Sequence, residues 1–273
     1  MIFNKLERFN NSLTQMIIPF NKYQGTGNDF IIIDNRNSFF NPDDSKLINS
    51  LCDRRFGIGA DGLILISSHK DFDYEMKYFN SDGNESSMCG NGGRCAVRFA
   101  SLSGIAGHKQ SFLTFDGKHE ALILNDLVHL QMNDVRGFDV SDGNYFLNTG
   151  SPQYVKFIKD LKDFDVYNEG KNIRWSDEFA PGGTNVNFVE LLKNGIFVRT
   201  YERGVENETM SCGTGVTASA IASVLAGHFD TNIISVRTRG GNLSVEFKIL
   251  KDKITEVWLC GPATFVFEGK IEV

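Results

Sequence analysis

No apolar run in the chain approaches the roughly 18 residues of a membrane-crossing helix. There is no CxxC pair and no His-x-x-x-His spacing, so neither a tight zinc site nor thioredoxin-type redox chemistry is expected from its cysteines and histidines. No stripe of Lys and Arg is present, and 28 basic against 34 acidic residues leave a net charge of −6, which argues against a nucleic-acid partner. The first 15 residues carry Lys5, Glu7 and Arg8 and lack the continuous apolar core of a secretory signal. These absences lead us to expect a cytoplasmic protein bound to no membrane. The five cysteines, Cys52, Cys89, Cys95, Cys212 and Cys260, are an odd set that makes a poor disulfide framework. Their thiols are core filler or chemistry.

What is present is an ordinary globular composition, 41% hydrophobic and 23% charged over 273 residues, enough for one large domain or two smaller ones. Residues 1–15 read as an N-terminal extension, because the first strand-like run opens at Met16. Short β-rich runs then dominate, at 30–34, 63–66, 74–79, 112–115, 121–124 and 128–132, and again at 154–157, 186–192, 197–201, 233–238, 243–249, 256–259 and 265–267. Helical signals are fewer. One spans 43–54, and two others follow Cys89 and Cys212 and stop near Gly104 and Gly227.

Sliding the chain against itself by 123 residues exposes a repeat. Tyr78 meets Tyr201, Asn84 meets Asn207, Glu85 meets Glu208, and Cys89-Gly90-x-Gly92 meets Cys212-Gly213-x-Gly215; with Leu102 on Leu225 and Gly104 on Gly227 there are 8 identities in 27 ungapped positions. We therefore expect an α+β protein of two pseudo-symmetric domains, each a strongly bent, mostly antiparallel sheet wrapped around a central helix. The boundary is expected between 133 and 150, where Asn, Asp and Gly accumulate, giving a first domain over 16–133 and a second over 134–262.

Each half thus carries Cys-Gly-x-Gly at a helix entrance. The glycines let backbone approach a ligand, and the unpaired first-turn N–H groups favour a carboxylate and lower the pKa of an adjacent thiol. A single Gly-flanked cysteine is structural more often than catalytic; two related by a repeat change that balance. Packed face to face, the halves would place Cys89 and Cys212 on opposite sides of one bound carbon. One thiolate could then remove a proton while the opposite thiol delivers another, the requirement for inverting a stereocentre. No motif for a pyridoxal phosphate lysine or a metal cluster accompanies them.

With these motifs the sequence closely resembles the diaminopimelate epimerase family. The resemblance rests on Gly25-Thr26-Gly27-Asn28-Asp29-Phe30, Phe79-Asn80-Ser81-Asp82-Gly83, Met88-Cys89-Gly90-Asn91-Gly92-Gly93-Arg94-Cys95, Gly183-Thr184-Asn185-Val186-Asn187-Phe188, Tyr201-Glu202-Arg203-Gly204 and Ser211-Cys212-Gly213-Thr214-Gly215. It implies a cofactor-independent, metal-free two-base isomerase interconverting L,L- and meso-diaminopimelate for lysine and peptidoglycan precursor synthesis, and a last strand over 263–273 that returns to the first domain. Carried over position by position, it makes Cys89 and Cys212 the acid/base pair and sets the reacting carboxylate on Gly90, Asn91, Gly213 and Thr214. Asn28, Asn80, Asn185 and Arg203 go to the distal amino acid end, and Glu202 helps hold the substrate and tune the reacting end. Ser151 and Gln153 are further candidates, where the family usually has Asn-Pro-His. Gly62 also departs, standing where the family commonly has Gln, and the 205–209 loop looks one residue longer than usual. The expected partner is a small diamino dicarboxylic acid, and a homodimer fits the reading. The alternatives are a proline- or hydroxyproline-type racemase, for which His would be expected in place of Asn91, and a non-enzymatic amino-acid-binding protein.

Overall fold

The computed structural model describes residues 16–251 and 253–273. The expected extension, 1–15, lies outside the described residues. In the first half, β1 (Ile17–Gly25), β2 (Asn28–Asp34), α1 (Ser45–Cys52), β3 (Gly62–Ser67), β4 (Tyr74–Asn80), β5 (Glu85–Ser86), α2 (Gly90–Leu102), β6 (Lys109–Thr114), β7 (Gly117–Leu124) and β8 (Leu127–Gln131) follow in order. The short β9 (Val135–Arg136) and β10 (Asp139–Ser141) lead into β11 (Asn144–Asn148), β12 (Pro152–Phe157), α3 (Val166–Arg174), β13 (Asn185–Leu192), β14 (Gly195–Glu202), β15 (Asn207–Thr209), α4 (Gly213–Leu225), β16 (Ile233–Arg237), β17 (Asn242–Leu250), β18 (Lys253–Gly261) and β19 (Thr264–Glu272).

The same pairing plan occurs twice. β2 runs parallel to β3, which turns back antiparallel on β4, and β4 runs parallel to β6. Likewise β12 is parallel to β13, β13 antiparallel to β14, and β14 parallel to β16. Parallel pairing explains why Phe30-Ile31-Ile32-Ile33 and Leu63-Ile64-Leu65-Ile66 are unbroken apolar runs: strands covered on both faces need no polar alternation. Two closures link the halves. β8 and β18 pair antiparallel, Leu130 opposite Leu259, and β19 lies antiparallel to β1, Ile17 opposite Glu272.

Each half wraps a helix. α2 packs on β1, β2, β3 and β8, and α4 on β11 to β14, β16 and β17. α4 reads Gly-Thr-Gly-Val-Thr-Ala-Ser-Ala-Ile-Ala-Ser-Val-Leu and is buried on nearly every side, so small residues replace a polar stripe. Both helices stop at a left-handed glycine, Gly104 (φ 68°) and Gly227 (φ 74°), where a Cβ would be strained.

The strand register departs from the ungapped repeat at one place. Phe79 pairs with Glu85 across a five-residue connection, whereas Glu202 pairs with Asn207 across four. Asn84 with Asn207 and Glu85 with Glu208 are thus sequence matches without structural equivalence; the residue saved in the turn is restored before Cys212. Glu208 instead clamps Arg199, at 2.7 and 2.8 Å. The sequence signals also missed α3, a nine-residue helix capped by Asp165, whose side chain accepts from the Asn168 N–H.

Candidate active site

The two long helices begin at the same place. A methyl built on Gly213 would lie 3.2 Å from the Cα of Gly90, and one on Gly90 would lie 3.6 Å from the Cα of Gly213. Cys89 and Cys212 occupy the cap positions directly before these glycines, both in extended backbone conformations. The chain positions them so because a cap residue lies outside the helix while the N–H groups that follow it lack helical partners. The first-turn amides of Asn91 and Gly92 act on the Cys89 sulfur and that of Gly215 on the Cys212 sulfur, which also lies against Thr214 Oγ1.

Those amides were expected to lower the thiol pKa values. Burial proves stronger: it pushes Cys89 up to about 11 and Cys212 higher still, and the Glu202 carboxylate adds to both. The helix starts oppose the rise without overcoming it, because ionising a sulfur out of water costs more than a few amide dipoles return. Glu202 is itself half-buried, and its carboxyl is raised to about 7 by burial and by Asp61.

Beside Cys89 stands the Asn28 amide. Its Oδ1 accepts from the Cys89 sulfur at 3.5 Å and from Asn91 Nδ2 at 3.3 Å, while its Nδ2 donates to Asp61 at 2.6 Å. Arg54 fastens Asp61 to the same loop at 2.6 Å. Asn91 crosses between the halves, donating to the Ser211 carbonyl at 2.9 Å.

A second network surrounds Cys212. Its sulfur lies 3.4 Å from Thr214 Oγ1, which accepts from Gln153 at 2.9 Å and lies 3.2 Å from Ser151 Oγ. Asn185 donates to Ser151 at 3.1 Å and accepts the Arg203 backbone N–H at 2.8 Å. Gln153 is fully buried; its Oε1 accepts from Asn187, whose own Oδ1 accepts from Thr200. The amide at 153 thus reaches the cysteine's hydroxyl partner and satisfies both its ends without carrying charge.

The structure therefore joins Cys89, Asn28, Gly90 and Asn91 to Cys212, Gly213, Thr214, Ser151, Gln153, Asn185 and Arg203 in one connected cluster. Asn80 stands apart. It is exposed at the end of β4 opposite Gly62, and no hydrogen bond among the described residues links its side chain to the cysteines. Sequence reasoning passed over Asp61, Asn187 and Thr200. Asn187 was findable, since Asn185 and Asn187 are polar at every second position of a buried strand and so share one face. Cys260 meets His129 Nδ1 at 2.9 Å, because β18 pairs with β8 at that register.

Two like halves with a cysteine at each of two abutting helix starts define an α+β protein of a fold shared by several solved structures. A phenazine biosynthesis protein of the PhzF family from Bacillus anthracis superposes with a TM-score of 0.76 at 14% identity, covering 94% of this chain and 100% of that one. A probable proline racemase from Agrobacterium radiobacter gives 0.67 at 15%, covering 94% and 92%. Sequence narrows the class. The profile of the diaminopimelate epimerase family matches residues 20–135 and 145–266, and the chain belongs to that family. Diaminopimelate epimerase of Flavobacterium psychrophilum is 52% identical, over 92% of this chain and 98% of that protein, and that of Chlorobaculum tepidum 42% identical, over 90% and 98%.

Proposed function

We propose that this protein interconverts L,L- and meso-diaminopimelate by a two-base mechanism in which Cys89 and Cys212 exchange the α-proton on opposite faces. The observation that carries the reading is the abutment of the helix starts at Gly90 and Gly213, each preceded by its cysteine. One sulfur, as thiolate, takes the α-hydrogen as a proton, and the electron pair moves into the α-carboxylate. The opposite thiol then gives its proton to the carbon's other face, and the pair ends with charge and proton exchanged.

Main-chain N–H groups of Gly90, Asn91, Gly213 and Thr214 would hold the reacting carboxylate, where the charge grows, in a site largely closed to water. The Asn91 side chain is occupied between Ser211, Asn28 and Arg94, so its contribution is backbone. At the far end, Arg203 has no carboxylate partner among the described residues; its weak 3.4 Å bond to the Gly182 carbonyl leaves donors for a substrate carboxylate. Asn28, Asn185 and Asn80 would supply amide oxygens for ammonium groups, and Glu202 would balance their charge. A substrate ammonium entering beside the sulfurs would also favour the thiolate that burial disfavours.

The same reading takes 16–133 with 263–273 as one domain and 134–262 as the other, supported by the β19–β1 pairing. It also includes a homodimer, supported by the exposed Phe265, Val266 and Phe267 on β19, a small-molecule substrate with no nucleic-acid partner, and a cytoplasmic setting, supported by five free cysteines. No helix among the described residues is long and apolar enough to cross a membrane. The test is hydrogen exchange in deuterated water without added cofactor. Diaminopimelate should take up deuterium at the α-carbon and proline should not; exchange of proline alone selects the racemase, and exchange of neither overturns the enzymatic reading.

A further inference from the structure

Among the described residues, Arg94 is the largest fully buried side chain. It lies one turn into α2 and spends its donors on neutral acceptors: Gly90 O at 3.1 Å, Asn91 Oδ1 at 3.1 Å, Thr26 Oγ1 at 3.2 Å and Pro262 O at 3.4 Å. No carboxylate pairs with it among the described residues. The ionisable groups its charge acts on are three thiols, Cys95, Cys89 and Cys260. A guanidinium stays protonated, and burying one without a counter-ion is costly.

The repeat shows that the fold itself does not need this charge. The residue equivalent to Arg94, 123 positions on, is Thr217, equally buried, whose hydroxyl donates to the Gly213 carbonyl at 2.9 Å as Arg94 donates to that of Gly90. Both helices thus satisfy the same first-turn carbonyl, one with a cation and the other with a neutral hydroxyl. Neutral contacts differ too, Asn28 Oδ1 at Cys89 and Thr214 Oγ1 at Cys212, but the other charge that acts on these sulfurs does not single one out. Glu202 from β14 acts on both, and Tyr78 from β4 and Cys95 on α2, which face Cys89, are neutral when protonated.

We propose that Arg94 is a positioning residue that makes the two cysteines unequal: its buried positive charge makes Cys89 the first of the pair to ionise and leaves Cys212 as the thiol. The base then comes from the α2 side, and the isomer whose α-hydrogen points toward Cys89 meets the sulfur that ionises first. The opposite isomer requires the proton to pass to Cys89 first. The inference rests on the two-base reading for its consequence in catalysis, although the charge asymmetry is measurable without turnover.

The experiment follows iodoacetamide alkylation of Cys89 and Cys212 separately, by peptide mass mapping of the wild-type protein over a range of about pH 7 to 12, a Cys212 midpoint beyond the upper end counting as the higher of the two. Cys89 should reach half-maximal reactivity at least about one pH unit below Cys212. Coincident midpoints, or Cys212 ionising first, overturn the proposal whether or not any variant folds. In Arg94→Met the Cys89 midpoint should rise by about one unit or more while that of Cys212 moves less, and Arg94→Lys should restore most of the gap. Equal shifts at both sulfurs, or no rescue by lysine in a folded protein, would reduce Arg94 to a packing role. Deuterium uptake by diaminopimelate, measured on the same wild-type sample, reports separately on the two-base reading.

Discussion

Gly90 and Gly213 meet back to back: an added methyl on the second would come 3.2 Å from the first's Cα and 3.1 Å from Leu259 Cδ2. Leu259 stands equally close to a methyl on Gly90, at 3.0 Å. One leucine therefore spaces both helix starts.

Gly213→Ala should shift the two helix starts apart, costing about 1–3 kcal/mol of stability and about 100-fold in epimerisation rate. Leu259→Ala opens the space the methyl needs, so the double variant should be more active than Gly213→Ala alone. Urea unfolding and a stereoisomer assay check both numbers; strict additivity would show that the glycine contact is not what spaces the site.

Cys89→Ala and Cys212→Ala should each abolish epimerisation, and serine at either place should leave weak activity because an alkoxide is harder to form than a thiolate. Cys95, fully buried among core side chains, should tolerate alanine with activity retained and about 1 kcal/mol of stability lost. Chiral chromatography of the product decides; full activity in either of the first two variants would remove the mechanism.

Asp61→Asn should act through Asn28. The carboxylate oxygen that accepts Asn28 Nδ2 at 2.6 Å also accepts the Asp29 N–H at 3.2 Å, and an amide cannot serve all of the donors around it. Freed to rotate, Asn28 no longer holds its Oδ1 toward Cys89, and activity should fall about tenfold. Melting temperature should move little, because the Arg54–Asp61 pair is largely exposed. A loss of stability without loss of activity would refute the orienting role.

Glu202 should make stability depend on pH. Its folded pKa of about 7 exceeds its ordinary value of 4.5, so the folded state binds more protons between these values and stability declines as pH rises through that window. The contribution, up to about 3 kcal/mol, is complete below pH 4.5 and lost above 7. Glu202→Gln should flatten the decline in denaturant titrations across that range. An unchanged slope would place the titration elsewhere.

Much of this architecture is legible in local patterns. Strand runs at 30–34 and 63–66, the cysteine caps and the terminating glycines obey rules that act over a few residues, and the repeat discloses two like halves before any contact is seen. The five- against four-residue turns after β4 and β14 are invisible to an ungapped comparison, because only pairing partners fix where a turn closes.

Backbone chemistry written in order along the chain decided that two Cys-Gly-x-Gly segments would cap helices. Folding alone decided the charge on those sulfurs. Burial outweighs the helix amides, Glu202 arrives from β14, and Arg94, with no carboxylate partner among the described residues, bonds the Gly90 carbonyl after one cysteine while Thr217 bonds the Gly213 carbonyl after the other. Desolvation and Coulomb forces sum over everything packed nearby, whatever its distance in sequence, so no window of residues contains them.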